Sequence, residues 1–218
     1  DEFKADGNIK MVTLEPEIDG AEAYIRKSKA VISIGHTDAD YDETVKAARA
    51  GAKCLTHTFN AMPPIHHRNP GVIGAGFDEN MYAQVICDGK HIHGSVIRIL
   101  YKLFGAERMI LISDSIRATG LPDGEYELGG QMMIVRDKTA RTAGGALAGS
   151  TSTLLECVKK AIEFGIPEKD AFRMASQTPA ELIGANKGII KEGYDCDLIT
   201  VDENNELCNV IIGGKIIK

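Results

Sequence analysis

Short apolar runs alternate along the chain with stretches whose apolar positions recur every three or four residues. "KMVTLEPE" (10–17) reads as a strand closing on acidic residues and a proline, and "AEAYIRKSKA" (21–30) as a helix. "VISIGHT" (31–37) is a β-branched strand. In "DADYDETVKAARAGA" (38–52), Asp40 and Glu43 match a helix start and Gly51 suits a helix end. There follow strand "CLTHTF" (54–59), a long loop, strand "YAQVICD" (82–88), helix "GSVIRILYKLFG" (94–105) and strand "RMILISDS" (108–115).

The strands are short and nearly continuous in apolar residues, which is how strands buried on both faces read. Their alternation with helices predicts parallel βα units. Each of the last four closes on a polar residue: His36, His57, Asp88 followed by His91, and Asp114. A (β/α)8 barrel carries its chemistry at that end of its strands. An open dinucleotide-binding sheet does so too, but no GxGxxG follows any strand, so the barrel is favoured.

Beyond Asp114 the pattern changes. Residues 120–150 are Gly-rich with short strand-like pieces, and read as a β insertion. Helix 151–165 follows, with Thr151 or Ser152 available as its cap, and Pro167 sits at a first-turn position of the next. The last stretch, 186–218, is β-like, with "DENNE" as a turn between two apolar runs. The expected division is therefore a partial barrel over 1–185 and the strands of a small β domain over 186–218.

Composition narrows the field only a little. With 218 residues, 44% hydrophobic and 26% charged, the chain is an ordinary globular sequence. A net charge of −6 argues against a nucleic-acid partner. No apolar run approaches the roughly 20 residues that span a bilayer. The opening "DEFKADGNIK" has no signal-peptide pattern. Five widely spaced cysteines without a CxxC pair point to reduced thiols, and so to the cytoplasm.

His36, His57, His91 and Asp114 are the candidate chemical centre. Neutral imidazoles suit zinc or iron, and an aspartate beside such an ion can take a proton from water. Other readings stand beside this one. A histidine after a strand also serves as a hydrogen-bonded structural residue, Asp114 could cap a helix, and Arg68 in "HHRNPG" could be a solvated cation. "GGALAGSTST" is either a flexible turn or a ring of backbone N–H groups before a helix.

Taken together, "SIGHTDADYDE", "THTFNAMPP…HHRNPG", "ICDGKHIH", "LISDSIRATG" and "GALAGSTSTL" resemble the N-acetylglucosamine-6-phosphate deacetylase family of the amidohydrolase superfamily. The tail "MASQTPAELIGANKGIIKEGYDCDLITVD" is similar to the superfamily's C-terminal signature. This resemblance implies a metal-dependent hydrolase in a (β/α)8 barrel, with one or two zinc or iron ions, a small amino-sugar phosphate as substrate, and a homodimer. It assigns His36 and His57 as metal ligands, Asp114 as the proton-transferring aspartate, and His91 as the group that polarises the acetamide carbonyl. It places Asn60, Ala61 and Arg68 around the sugar phosphate, and Leu147, Ala148 and Gly149 near the sugar.

One departure matters. The five strands match the fourth to eighth of that barrel, and neither the family's first-strand HxH nor its metal-binding glutamate is present. Glu15 and Glu17 lie on the next strand and do not replace it. A fragment with weakened metal affinity is therefore expected. The alternatives are an amidohydrolase acting on another amide, and an inactive fragment that keeps the motifs without the chemistry.

Overall fold

The computed structural model describes residues 8–218, so most of the opening polar stretch considered above for a signal sequence lies outside it. Five parallel strands form one sheet in sequence order: β1 (Met11–Leu14), β2 (Val31–Ile34), β3 (Cys54–Leu55), β4 (Tyr82–Ile86) and β5 (Met109–Ile112). Between them run α1 (Ala21–Lys27), α2 (Tyr41–Ala50), α3 (Gly71–Asp78) and α4 (Gly94–Arg108). The five strands and their crossover helices are the βα units expected of a partial barrel.

The ladder register sorts the side chains. Ser33 pairs with Cys54 and Cys54 with Tyr82, so these share a face, while Ile34 and Leu55 share the other. On the helix-covered face, Ile32, Ile34 and Leu55 pack with α1–α3, and Ala83, Val85, Met109 and Leu111 pack with α4 and later helices. Fully burying a side chain of this size stabilises by roughly 1.5–3 kcal/mol. The opposite face mixes apolar groups with Thr13, Ser33, Thr56 and Gln84, and Met11, Val31, Tyr82 and Ile112 remain half-buried there. Burial on both faces is therefore complete on one face only. Leu182 and Ile183 of α7 (Gln177–Ile183) close the lower end of the polar face against Met11, Val31, Cys54 and Tyr82.

Asp40 caps α2 in a full capping box with Glu43, and Gly51 ends that helix, as expected. Two readings need correction. The long loop after His57 contains α3, whose "GVIGAGFD" is too Gly-rich to announce a helix. The cap of α5 (Leu154–Glu163) is Thr153, in a capping box with Glu156, rather than Thr151 or Ser152. Thr151 instead donates to the carbonyl of Lys138, and Ser152 N–H donates to Ser150 Oγ.

The 120–150 segment is a three-stranded antiparallel sheet of β6 (Gly124–Leu128), β7 (Gln131–Arg136) and β8 (Thr139–Thr142). After α5, α6 (Glu168–Ala175) starts behind Pro167. A second antiparallel sheet, β9 (Leu198–Val201), β10 (Leu207–Ile212) and β11 (Lys215–Ile216), closes the chain, with Asp202 N–H donating to Glu206 O across the "DENNE" turn.

Candidate active site

The polar residues at the upper strand ends adopt backbone conformations that the sequence does not advertise. His36 (φ 53°), His57 (φ 29°) and Asp114 (φ 49°) all lie in the left-handed region, as do Phe59 and Ala61 in the loop after β3. Such conformations cost roughly 1–3 kcal/mol each in non-glycine residues and gather where a side chain must be aimed. The ladder hydrogen bonds continue on either side of His57, from Thr56 N–H to Ile34 O at 2.7 Å and from Thr58 N–H to Gln84 O at 2.8 Å. His57 is thus turned out of the strand line while its neighbours stay paired.

The aim brings two imidazoles together. His36 Nε2 and His57 Nε2 lie 2.8 Å apart, with the rings edge to face at 4.6 Å between centroids. Gly35 makes this approach possible, because a Cβ there would lie 2.5 Å from Thr56 Cβ. Beneath the pair, Thr56 Oγ1 bonds both Ser33 Oγ at 2.6 Å and Thr13 Oγ1 at 2.9 Å, which ties three strand ends together. Glu17 fixes the loop beyond His36, accepting from Thr37 Oγ1 at 2.5 Å and Asp38 N–H at 2.7 Å.

His57 is 6% exposed and its Nδ1 is buried without a partner. Burial first, and then the nearby His36, push its pKa down, while Asp114 pulls in the opposite direction. Asp114 is thus close enough to His57 to act on its charge. Asp114 itself is exposed, and its carbonyl accepts from Ser150 N–H at 2.8 Å. Gly149 (φ 69°) packs so close that a Cβ would meet Ile116 Cγ2 at 2.6 Å and Asp114 O at 3.1 Å.

The remaining candidates divide. Asn60 folds back on the site: its Nδ2 donates to His57 O at 3.0 Å. Ala61 O accepts from Thr37 N–H at 3.0 Å, which joins the loop after β3 to the one after β2. Ala148 N–H donates to Ala140 O, Leu147 bridges to Arg141, and Gly149 adjoins Asp114. Arg68 is exposed and keeps to its own loop, with Nη1 at 2.6 Å from His67 Nε2. His91 lies on the loop after β4, its Nδ1 2.7 Å from Asp88 Oδ2. Asp88, noted in the sequence only as the polar residue closing its strand, and Glu17, considered there only as a metal ligand and set aside, are the two supporting residues. The Asp-x-x-His spacing of "DGKH" was the available signal for the first.

Two imidazole nitrogens 2.8 Å apart at neighbouring strand ends are a donor set that suits a divalent transition ion. His36 and His57 are the residues that would share such an ion, with a small opening of the pair to admit it. Among the described residues no group of three or more His, Cys, Asp or Glu is arranged to hold a metal, so the histidine pair is what this chain offers.

A parallel half-barrel with paired imidazoles and an aspartate following its strand ends is the arrangement found in the barrel class of metal-dependent hydrolases. Residues 15–217 match the amidohydrolase family, and the chain belongs to it. Members of that family are generally dependent on divalent metal ions. The chain is 40% identical over 220 residues to N-acetylglucosamine-6-phosphate deacetylase of Bacillus subtilis (strain 168), covering 98% of this chain and 56% of that protein. It is 34% identical over 215 residues to N-acetylgalactosamine-6-phosphate deacetylase of Escherichia coli O157:H7, covering 95% of this chain and 57% of that protein. Among solved structures it matches N-acetyl-D-glucosamine-6-phosphate deacetylase of Mycobacterium smegmatis, a mutant in complex with N-acetyl-D-glucosamine-6-phosphate. That match has a TM-score of 0.92 and 36% identity, and covers 96% of this chain and 58% of that one. The chain thus spans a little over half the length of the curated relatives it matches.

Proposed function

We propose that the protein carrying this chain hydrolyses the acetamide of N-acetylglucosamine 6-phosphate, giving glucosamine 6-phosphate and acetate. The observation that carries this reading is the convergence of His36 and His57 at neighbouring strand ends, with Asp114 acting on His57 from the end of another strand. His36 and His57 would hold a zinc or iron ion, with the other ligands supplied by the part of the protein this chain does not span. A divalent ion there supplies Lewis-acid polarisation of the carbonyl and makes water acidic enough to attack near neutral pH.

The chain's own residues do the proton work. Asp114 accepts a proton from the attacking water at its carboxylate and returns it to the nitrogen as the C–N bond breaks. His91 donates a hydrogen bond to the acyl oxygen as negative charge builds on it, a type of contribution worth several kcal/mol in dry sites. Arg68 takes the phosphate, for which its planar fork is suited, with Asn60 and Ala61 shaping the adjacent loop. Leu147, Ala148 and Gly149 line the sugar. A phosphorylated sugar is retained inside cells, so the enzyme works in the cytoplasm, as a homodimer in which residues 186–218 belong to a small β domain.

The test is acetate release by the full-length protein, stripped of metal and then reloaded with zinc or iron(II). N-acetylglucosamine 6-phosphate, its galactose-configured epimer, the unphosphorylated sugar and a cyclic amide are compared. Turnover of the cyclic amide above both sugar phosphates would sink the assignment.

A further inference from the structure

Asp88 and His91 form a buried carboxylate–imidazole pair that the proton transfers above leave unexplained. Their side chains are 1% and 5% exposed. Asp88 Oδ1 accepts the backbone N–H groups of Lys90 at 2.8 Å and His91 at 3.0 Å, and Oδ2 faces His91 Nδ1 at 2.7 Å. Burial pushes the Asp88 carboxyl up, but the ring and backbone donors of His91 and the backbone donor of Lys90 outweigh it and hold it at about 2. A carboxylate has no proton to give, so the proton between the two groups sits on Nδ1. Nε2 makes no hydrogen bond among the described residues.

We infer that Asp88 is a positioning residue: it holds the His91 ring by its Nδ1–H, leaves Nε2 for the acyl oxygen, and supplies the counter-charge that His91 needs to donate from Nε2. This rests on the role given to His91 above. With Nδ1–H committed to Asp88, Nε2 can donate only when the ring carries both protons. A neutral partner supplies no counter-charge, so Nε2 would then donate only from an uncharged, weaker-donating ring. In Asp88→Asn the amide oxygen would take over the two backbone N–H donors, leaving the amide NH2 against Nδ1 and forcing the proton onto Nε2.

The experiment uses the zinc-loaded full-length enzyme and ¹⁵N NMR of its histidine rings, with His91 assigned from the signals lost in His91→Gln. Nδ1 is expected to be protonated in the wild type, and bare with Nε2 protonated in Asp88→Asn. In that variant kcat for N-acetylglucosamine 6-phosphate should fall on the order of 100-fold, with KM changed less than about threefold. A bare Nδ1 in the wild type, or wild-type kcat in Asp88→Asn, overturns the inference. The wild-type spectrum decides even if the variant does not fold. Should the wild type fail to deacetylate the sugar phosphate, the functional reading falls, while the ring spectra still decide whether Asp88 sets the His91 proton.

Discussion

His36 Nε2 and His57 Nε2 face each other across 2.8 Å at the ends of neighbouring strands, each on a left-handed backbone. Two non-glycine residues held in that conformation side by side are difficult to explain as packing, and simple to explain as ligands of one ion. Replacing either with alanine should remove most of the bound metal, as read by elemental analysis of the purified full-length protein. Activity should fall roughly 100-fold or more. Full metal content in either variant would mean that the pair is structural.

Gly35 controls that pair through space rather than conformation. A methyl there would lie 2.5 Å from Thr56 Cβ, in the hydroxyl chain that joins Thr13, Thr56 and Ser33. Gly35→Ala is expected to destabilise by about 1–3 kcal/mol, as overpacking does, and to weaken metal binding by spreading the ends of β2 and β3. Denaturant melts of the metal-free protein and zinc titration read the two effects separately. An unchanged melting midpoint would show that the strands yield without cost.

Much of this was legible in the sequence, for physical reasons that also mark where legibility stops. The parallel half-barrel is written in apolar runs that end on His36, His57 and Asp114, and the cap of α2 in the Asp40–Glu43 spacing. The helix over Gly71–Asp78 is not, because its glycines carry low helix propensity and tertiary packing of Val72, Ile73 and Ala75 overrides it. Nor are the left-handed conformations at the strand ends. Histidine and aspartate enter that region more readily than most residues, but still so rarely that residue type alone does not announce it, and the surrounding ladder decides. The face opposite the helices was misread because Met11, Val31 and Tyr82 look like core residues, while their cover among the described residues is limited to the end near α7.

Arg68 is exposed and bound only within its own loop, so nothing in the fold depends on it. Arg68→Ala should leave stability within about 0.5 kcal/mol of wild type. It should raise KM for N-acetylglucosamine 6-phosphate on the order of tenfold or more, with little change for the unphosphorylated sugar. Steady-state kinetics on the two substrates check this, and equal effects on both would remove Arg68 from the phosphate site.

The start of α5 separates two candidate caps by a single residue. Thr153 Oγ1 accepts from Glu156 N–H at 3.3 Å, and Glu156 Oε2 accepts from Thr153 N–H at 2.7 Å. Thr153→Ala should cost about 1 kcal/mol, whereas Ser152→Ala should cost little. The comparison is made by urea unfolding of the two variants, and a reversed order would move the cap back to Ser152.

Asp88 should also appear in the acid stability of the protein. Its carboxyl is held at about 2, below the ordinary value of 3.8, so its contribution is fully present above about pH 4 and is lost as the pH falls toward 2. The shift corresponds to roughly 2 kcal/mol at neutral pH. Asp88→Asn should therefore be less stable than wild type by up to about that amount at pH 7, with the gap closing between pH 4 and pH 2. Denaturant unfolding at pH 7, 4 and 2.5 measures it. A gap that stays constant down to pH 2.5 would mean that packing, rather than the charge held against His91, is what the carboxylate contributes to the fold.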